Sequence, residues 1–97
     1  MQIKDTKNVI SFIKEKSKEM ISRPSVNSWT HFPFLPVKRG EFGKDMEYGV
    51  IWAAGSQLVI YECNIFMMPK ILKDFKKLAR WKYKSLDEMI DDGWIVD

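Results

Sequence analysis

The sequence predicts an α+β fold: an N-terminal helix, a small antiparallel sheet built on a central β-hairpin, and two C-terminal helices. Three observations carry this. Apolar residues recur at helical spacing through the first twenty-two residues. Two runs flank Gly55-Ser56 and sort cleanly when paired. After Pro69 the helical spacing returns, and a capping pattern and a late glycine punctuate it. Ninety-seven residues are enough for one domain, 1–97, and too few for a two-lobed enzyme.

The first helix is expected over about 6–22, capped by Asp5 or Thr6. Val9, Ile10, Ile13, Met20 and Ile21 make its apolar stripe, and Ser17 interrupts it. Lys7, Lys14, Glu15, Lys18 and Glu19 take the wet side. Arg23-Pro24 ends it, because the residue before proline avoids the α region.

Residues 24–45 read as irregular, with three of the four prolines. A short edge strand is expected near 29–32, because Pro33 and Pro36 cannot donate to a ladder.

Residues 46–65 read as a hairpin with a two-residue turn at Gly55-Ser56. That register sets Trp52 opposite Val59, Val50 opposite Tyr61, Tyr48 opposite Cys63 and Met46 opposite Ile65, all on one uncharged face. This face is expected to be the core on which the helices pack. The other face pairs Ala53 with Leu58 and Ile51 with Ile60, and turns polar at Glu47, Glu62 and Asn64.

A second helix is expected over about 70–81, opened by Pro69. Ile71, Leu72, Phe75 and Leu78 share one arc, with Lys70, Lys73, Lys76, Lys77 and Arg80 opposite. Ser85 and Glu88 then form a capping box. The third helix stops at Gly93, and Trp94-Ile95-Val96 packs over its end or adds a last strand.

Charge is unevenly placed. Residues 70–84 hold six lysines and one arginine against one aspartate, while 85–97 hold four aspartates and one glutamate. The lone cysteine, Cys63, argues for a reducing cytoplasm and against a disulfide scaffold. The first twenty residues are charged throughout, unlike a secretory leader, and no uncharged run is long enough to cross a bilayer.

Few chemistries have the residues they need. His31 and Cys63 have no second histidine or cysteine to complete a zinc site, and no cofactor or metal is expected. Cys63 points to the apolar face, where a thiol stays protonated. Gly40 and Gly43 lack nucleotide-loop spacing, although the 38–44 loop has amides, Lys38 and Arg39 for an anion.

Catalysis is therefore not expected. The leading expectation is a small cytoplasmic binding or regulatory protein acting through a protein–protein interface or self-association, of the kind found among phage or mobile-element accessory proteins. Candidate partner-binding residues are Trp29, His31, Phe32 and Phe34 in the aromatic loop, with Ile51, Leu58 and Ile60 on the second hairpin face. The alternative is a nucleic-acid-binding accessory protein using the basic helix, with Lys70, Lys73, Lys76, Lys77, Arg80 and Trp81 as its polyanion site. A small-molecule-binding protein is the third reading.

Overall fold

A computed structural model describes residues 3–40 and 45–97, with side chains in the first helix described from Val9 onward. The α+β architecture is as expected: an N-terminal helix, an antiparallel sheet around a central hairpin, and two later helices. Helix α1 spans Ile3–Ser22. Strands β1 (Phe34–Arg39), β2 (Glu47–Trp52) and β3 (Val59–Tyr61) follow. A 3-10 turn, Ile65–Met67, leads to the short helix α2, Leu72–Lys76. Strand β4 (Ala79–Lys82), helix α3 (Leu86–Asp91) and strand β5 (Ile95–Val96) complete the chain. The strand order is β4-β3-β2-β1-β5, and every neighbouring pair is antiparallel. Among the described residues, no helix is long and apolar enough to cross a membrane.

The hairpin keeps the expected register at Val50 opposite Tyr61, but that is the one pair in the β2–β3 ladder; β3 ends at Tyr61, so the expected Tyr48–Cys63 and Met46–Ile65 pairs are not made. The turn is not the expected one. Strand β2 ends at Trp52 and β3 begins at Val59, and two local bonds close the connection: Gly55 N to the Trp52 carbonyl and Val59 N to the Ser56 carbonyl. A two-residue turn of the expected type needs a positive φ at its glycine. Among the described residues only Gly40 and Gly93 have one.

The core also departs from expectation. The larger cluster lies on the Ile51/Ile60 side, where Leu35, Val37, Ile51 and Ile60 meet Ile21 of α1, Trp29, Met89 and Ile90 of α3, and Trp94. The side expected to carry the helices holds a smaller cluster of Val50, Tyr61 and Phe75, with Trp52 and Val59 only partly buried. Both faces are thus covered. Glu47 and Glu62 made the Ile51 face look wet, but each pairs with an arginine at the sheet's open end, Glu47 with Arg39 and Glu62 with Arg80. Gly49 belongs to this face, where a Cβ would stand 2.4 Å from Ile60 Cγ2.

Residues 29–32 form turns rather than a strand, because their amides close locally: Trp29 N on the Ser25 carbonyl and Phe32 N on the Trp29 carbonyl. The strand starts after Pro33 and lies inside the sheet. Pro36 fits there because its carbonyl accepts from Asp97 N, so its bare nitrogen faces the end of β5 and not β2.

The 70–81 helix is not formed. Only Leu72–Lys76 is helical, and 79–82 pairs with β3. The sequence Ala79-Arg80-Trp81-Lys82 also alternates with period two. The open edge of β3 supplies a partner for that alternation. The third helix keeps half of its expected capping box, with Ser85 Oγ accepting from Glu88 N at 3.1 Å but no bond from Ser85 N back to the Glu88 carboxylate, and it stops at Gly93, φ 102°. Ser17, the gap in the α1 stripe, accepts from Val96 N at 3.0 Å and so satisfies the outer edge of β5. Helix α1 begins at Ile3, before the expected start near residue 6, so Asp5 and Thr6 lie inside it and do not cap it; their side chains and that of Lys7 lie outside the described residues.

Candidate functional site

The densest polar cluster joins β1, β2 and α3. Arg39 Nε and Nη2 donate to Glu47 Oε1 at 3.0 and 2.8 Å, and Nη1 donates to Asp92 Oδ2. The guanidinium lies 4.8 Å from the Trp94 ring centroid and 5.4 Å from that of Trp81. Trp94 Nε1 donates to the Tyr83 hydroxyl at 2.7 Å, and that hydroxyl donates to Asp92. Gly93 leaves room for this, since a Cβ there would stand 3.2 Å from Arg39 Cγ. One guanidinium bridges two carboxylates, and the phenol and indole bond to the same set, so the cluster clasps the sheet to the helix end.

Burial, and then the bond to Asp92, push the Tyr83 phenol from 10.0 up to about 12. The unfolded chain loses this proton near the ordinary value while the folded chain keeps it. The contribution is fully present below pH 10 and is lost as pH rises towards 12. Urea unfolding midpoints should fall across that window in the native sequence, and Tyr83→Phe should lack this part of the fall.

The candidate partner residues divide by burial. Trp29, Ile51 and Ile60 are fully buried core and present no surface. Leu58 and Phe34 are half-buried, the former at the larger core and the latter against Phe75 at 5.3 Å. His31 and Phe32 are exposed, and the His31 ring meets Phe66 edge-on at 5.8 Å.

The candidate polyanion residues do not form one helical ridge, because β4 replaces the second half of the helix. Lys70, Lys73, Lys76 and Lys77 stay exposed on 70–77. Arg80 sits at the β3–β4 irregularity, paired with Glu62 and stacked 4.7 Å from Trp81. Trp81 packs on Trp94 at 4.8 Å and is half-buried, so it is no free stacking platform.

The acidic C-terminal segment does not fold back on those lysines. Asp87 pairs with Lys18 at 2.7 Å, Asp92 with Arg39, and Asp97 with Lys38 at 3.2 Å. This also occupies both described cations of the 38–44 loop; its residues 41–44 lie outside the described residues. Burial pushes the Cys63 thiol up, as expected for a structural cysteine. Among the described residues no cluster of His, Cys, Asp or Glu has metal-binding form, and no buried side-chain nitrogen or oxygen lacks a partner.

Two apolar surfaces remain uncovered. On α1, Val9, Ile10, Phe12 and Ile13 are 55, 50, 62 and 39% exposed, whereas Ser17 and Ile21 are buried. On 65–72, Phe66, Met67, Ile71 and Leu72 point outward. The sequence places Val9, Ile10 and Ile13, but not Phe12, in the α1 stripe, and gives Phe66, Met67, Ile71 and Leu72 no role at a surface; the exposures distinguish them. Comparison with protein-family models, curated proteins and solved structures finds no match to this chain.

Proposed function

We propose that this is a binding protein without catalytic activity that self-associates through the first half of α1. The observation that carries the reading is the division of one helical stripe. At about 100° per residue, Val9, Ile13, Ser17 and Met20 share a face. The body covers its lower end and leaves Val9, Ile10 and Ile13 in water. Large apolar side chains clustered in this way mark an interaction surface.

The occupant that fits is a second copy of the chain. Helix pairs bury such stripes by side-chain interdigitation. The charges just beyond the exposed residues carry both signs, Lys14 and Lys16 with Glu15 between them, and Lys16 lies over the Phe12 ring. A surface of mixed sign complements itself better than it does a strongly acidic or basic partner. Stable interfaces bury about 800 Å² per partner. Half of one helix lies below that, so the dimer is expected to be reversible and concentration-dependent.

Sedimentation from micromolar to near-millimolar protein tests this. The mass should rise towards twice the monomer, and Ile10→Glu with Ile13→Glu should hold it at the monomer with an unchanged urea midpoint. A monomer mass across the whole range ends the proposal.

A further inference from the structure

Residues 65–77 cover the smaller core with their inner side and carry an unusual outer one. Phe75 goes inward at 2% exposure, and Ile65, Met68 and Leu78 pack beside it. The segment nevertheless leaves Phe66, Met67, Ile71 and Leu72 at 81, 80, 62 and 50% exposure. Buried packing does not require four large apolar groups in water. A shallow cavity of about 360 Å³ adjoins them, lined by Phe34, Met68, Pro69, Leu72 and Phe75, with Lys70 as its one cation.

The same segment carries Lys70, Lys73, Lys76 and Lys77, all exposed, against Asp74 alone. Among the described residues none of these four lysines is in an ion pair. Elsewhere Lys18, Lys38, Arg39 and Arg80 each meet a carboxylate. Asp87, Asp92 and Asp97 are engaged by those other cations, and among the described residues no ion pair joins Glu88 or Asp91 to this surface.

We propose that the outer side of residues 65–77 is a docking site for an anionic lipid bilayer. Protruding apolar side chains enter the boundary between headgroups and acyl chains, while the lysines meet the negative headgroups. The residue types favour lipid over nucleic acid. Base stacking uses aromatic faces, and three of the four protruding groups are Met, Ile and Leu. A purely electrostatic partner, such as an acidic peptide, leaves Phe66 and Met67 without a role. Contact is peripheral. The site is separate from the α1 stripe, so the dimer and the bilayer contact stand or fall independently.

Flotation of the full chain with phosphatidylcholine vesicles, with and without phosphatidylserine, tests the site. Binding should appear with the anionic vesicles at low salt and weaken as salt rises. Lys73→Gln, Lys76→Gln and Lys77→Gln together should lower partition about tenfold or more. Phe66→Ser with Met67→Ser should lower it comparably, with the urea midpoint unchanged because both side chains are exposed. Absence of binding to anionic vesicles overturns the proposal, as does partition unaltered in either variant. So does tighter binding to an oligonucleotide or to polyglutamate that depends on the lysines but not on Phe66 and Met67.

Discussion

Replacing Trp94 with alanine should cost about 3–5 kcal/mol, the range for deleting a large buried aromatic. Trp94 is fully buried, and several elements meet on it. Its ring packs on Trp81, the Arg39 guanidinium lies over it, and its Nε1 holds the Tyr83 hydroxyl at 2.7 Å. Alanine leaves a cavity between sheet and α3 and removes one partner of that hydroxyl. A domain of this size loses roughly 4–8 °C of Tm per kcal/mol, so Tm should fall by at least about 12 °C. Trp94→Phe keeps most of the apolar area and loses the N–H, so it should fall between the two. Calorimetry of the three proteins gives the order; an alanine variant melting within a few degrees of the native chain contradicts the packing.

Trp29→Ala is the second large effect expected, again about 3–5 kcal/mol. The ring is fully buried in the larger core, and Nε1 donates to the Met20 carbonyl at 2.7 Å. It thus fastens the loop after α1 to the end of that helix. Phe66→Ala, at an aromatic 81% exposed, should change stability by no more than about 0.5 kcal/mol. Urea unfolding of the two variants separates an aromatic that builds the core from one that faces outward. If Trp29→Ala is neutral, the loop does not pack as described.

How far the candidate surfaces were legible follows from the range of each signal. Trp29 and Phe66 are both aromatics in segments with proline nearby, and nothing within a few residues tells which one is buried. The lysines are visible as a cluster, but that none of them pairs with a carboxylate among the described residues is not. Asp87, Asp92 and Asp97 reach Lys18, Arg39 and Lys38 across the tertiary structure, at sequence separations no local pattern encodes. The α1 stripe is legible as apolar but not as uncovered, because periodicity reports which side chains share a face and not whether anything lies against them.

What the sequence determined by itself is local chemistry: the Ser85 cap, the Gly93 stop, the end of α1 before Pro24, and the Val50–Tyr61 register. Each depends on a hydrogen bond, a steric limit or an alternation complete within a short stretch of chain. Tertiary structure alone decided three other things. The Ile51/Ile60 face became the larger core because α1, Trp29 and α3 converge on it. Residues 79–82 became a strand because the edge of β3 offered unpaired backbone groups, and their sequence suits either period. Ser17 was decided in the same way: a gap in a helical stripe became the cap of a sheet edge when Val96, far along the chain, brought it an amide to bind.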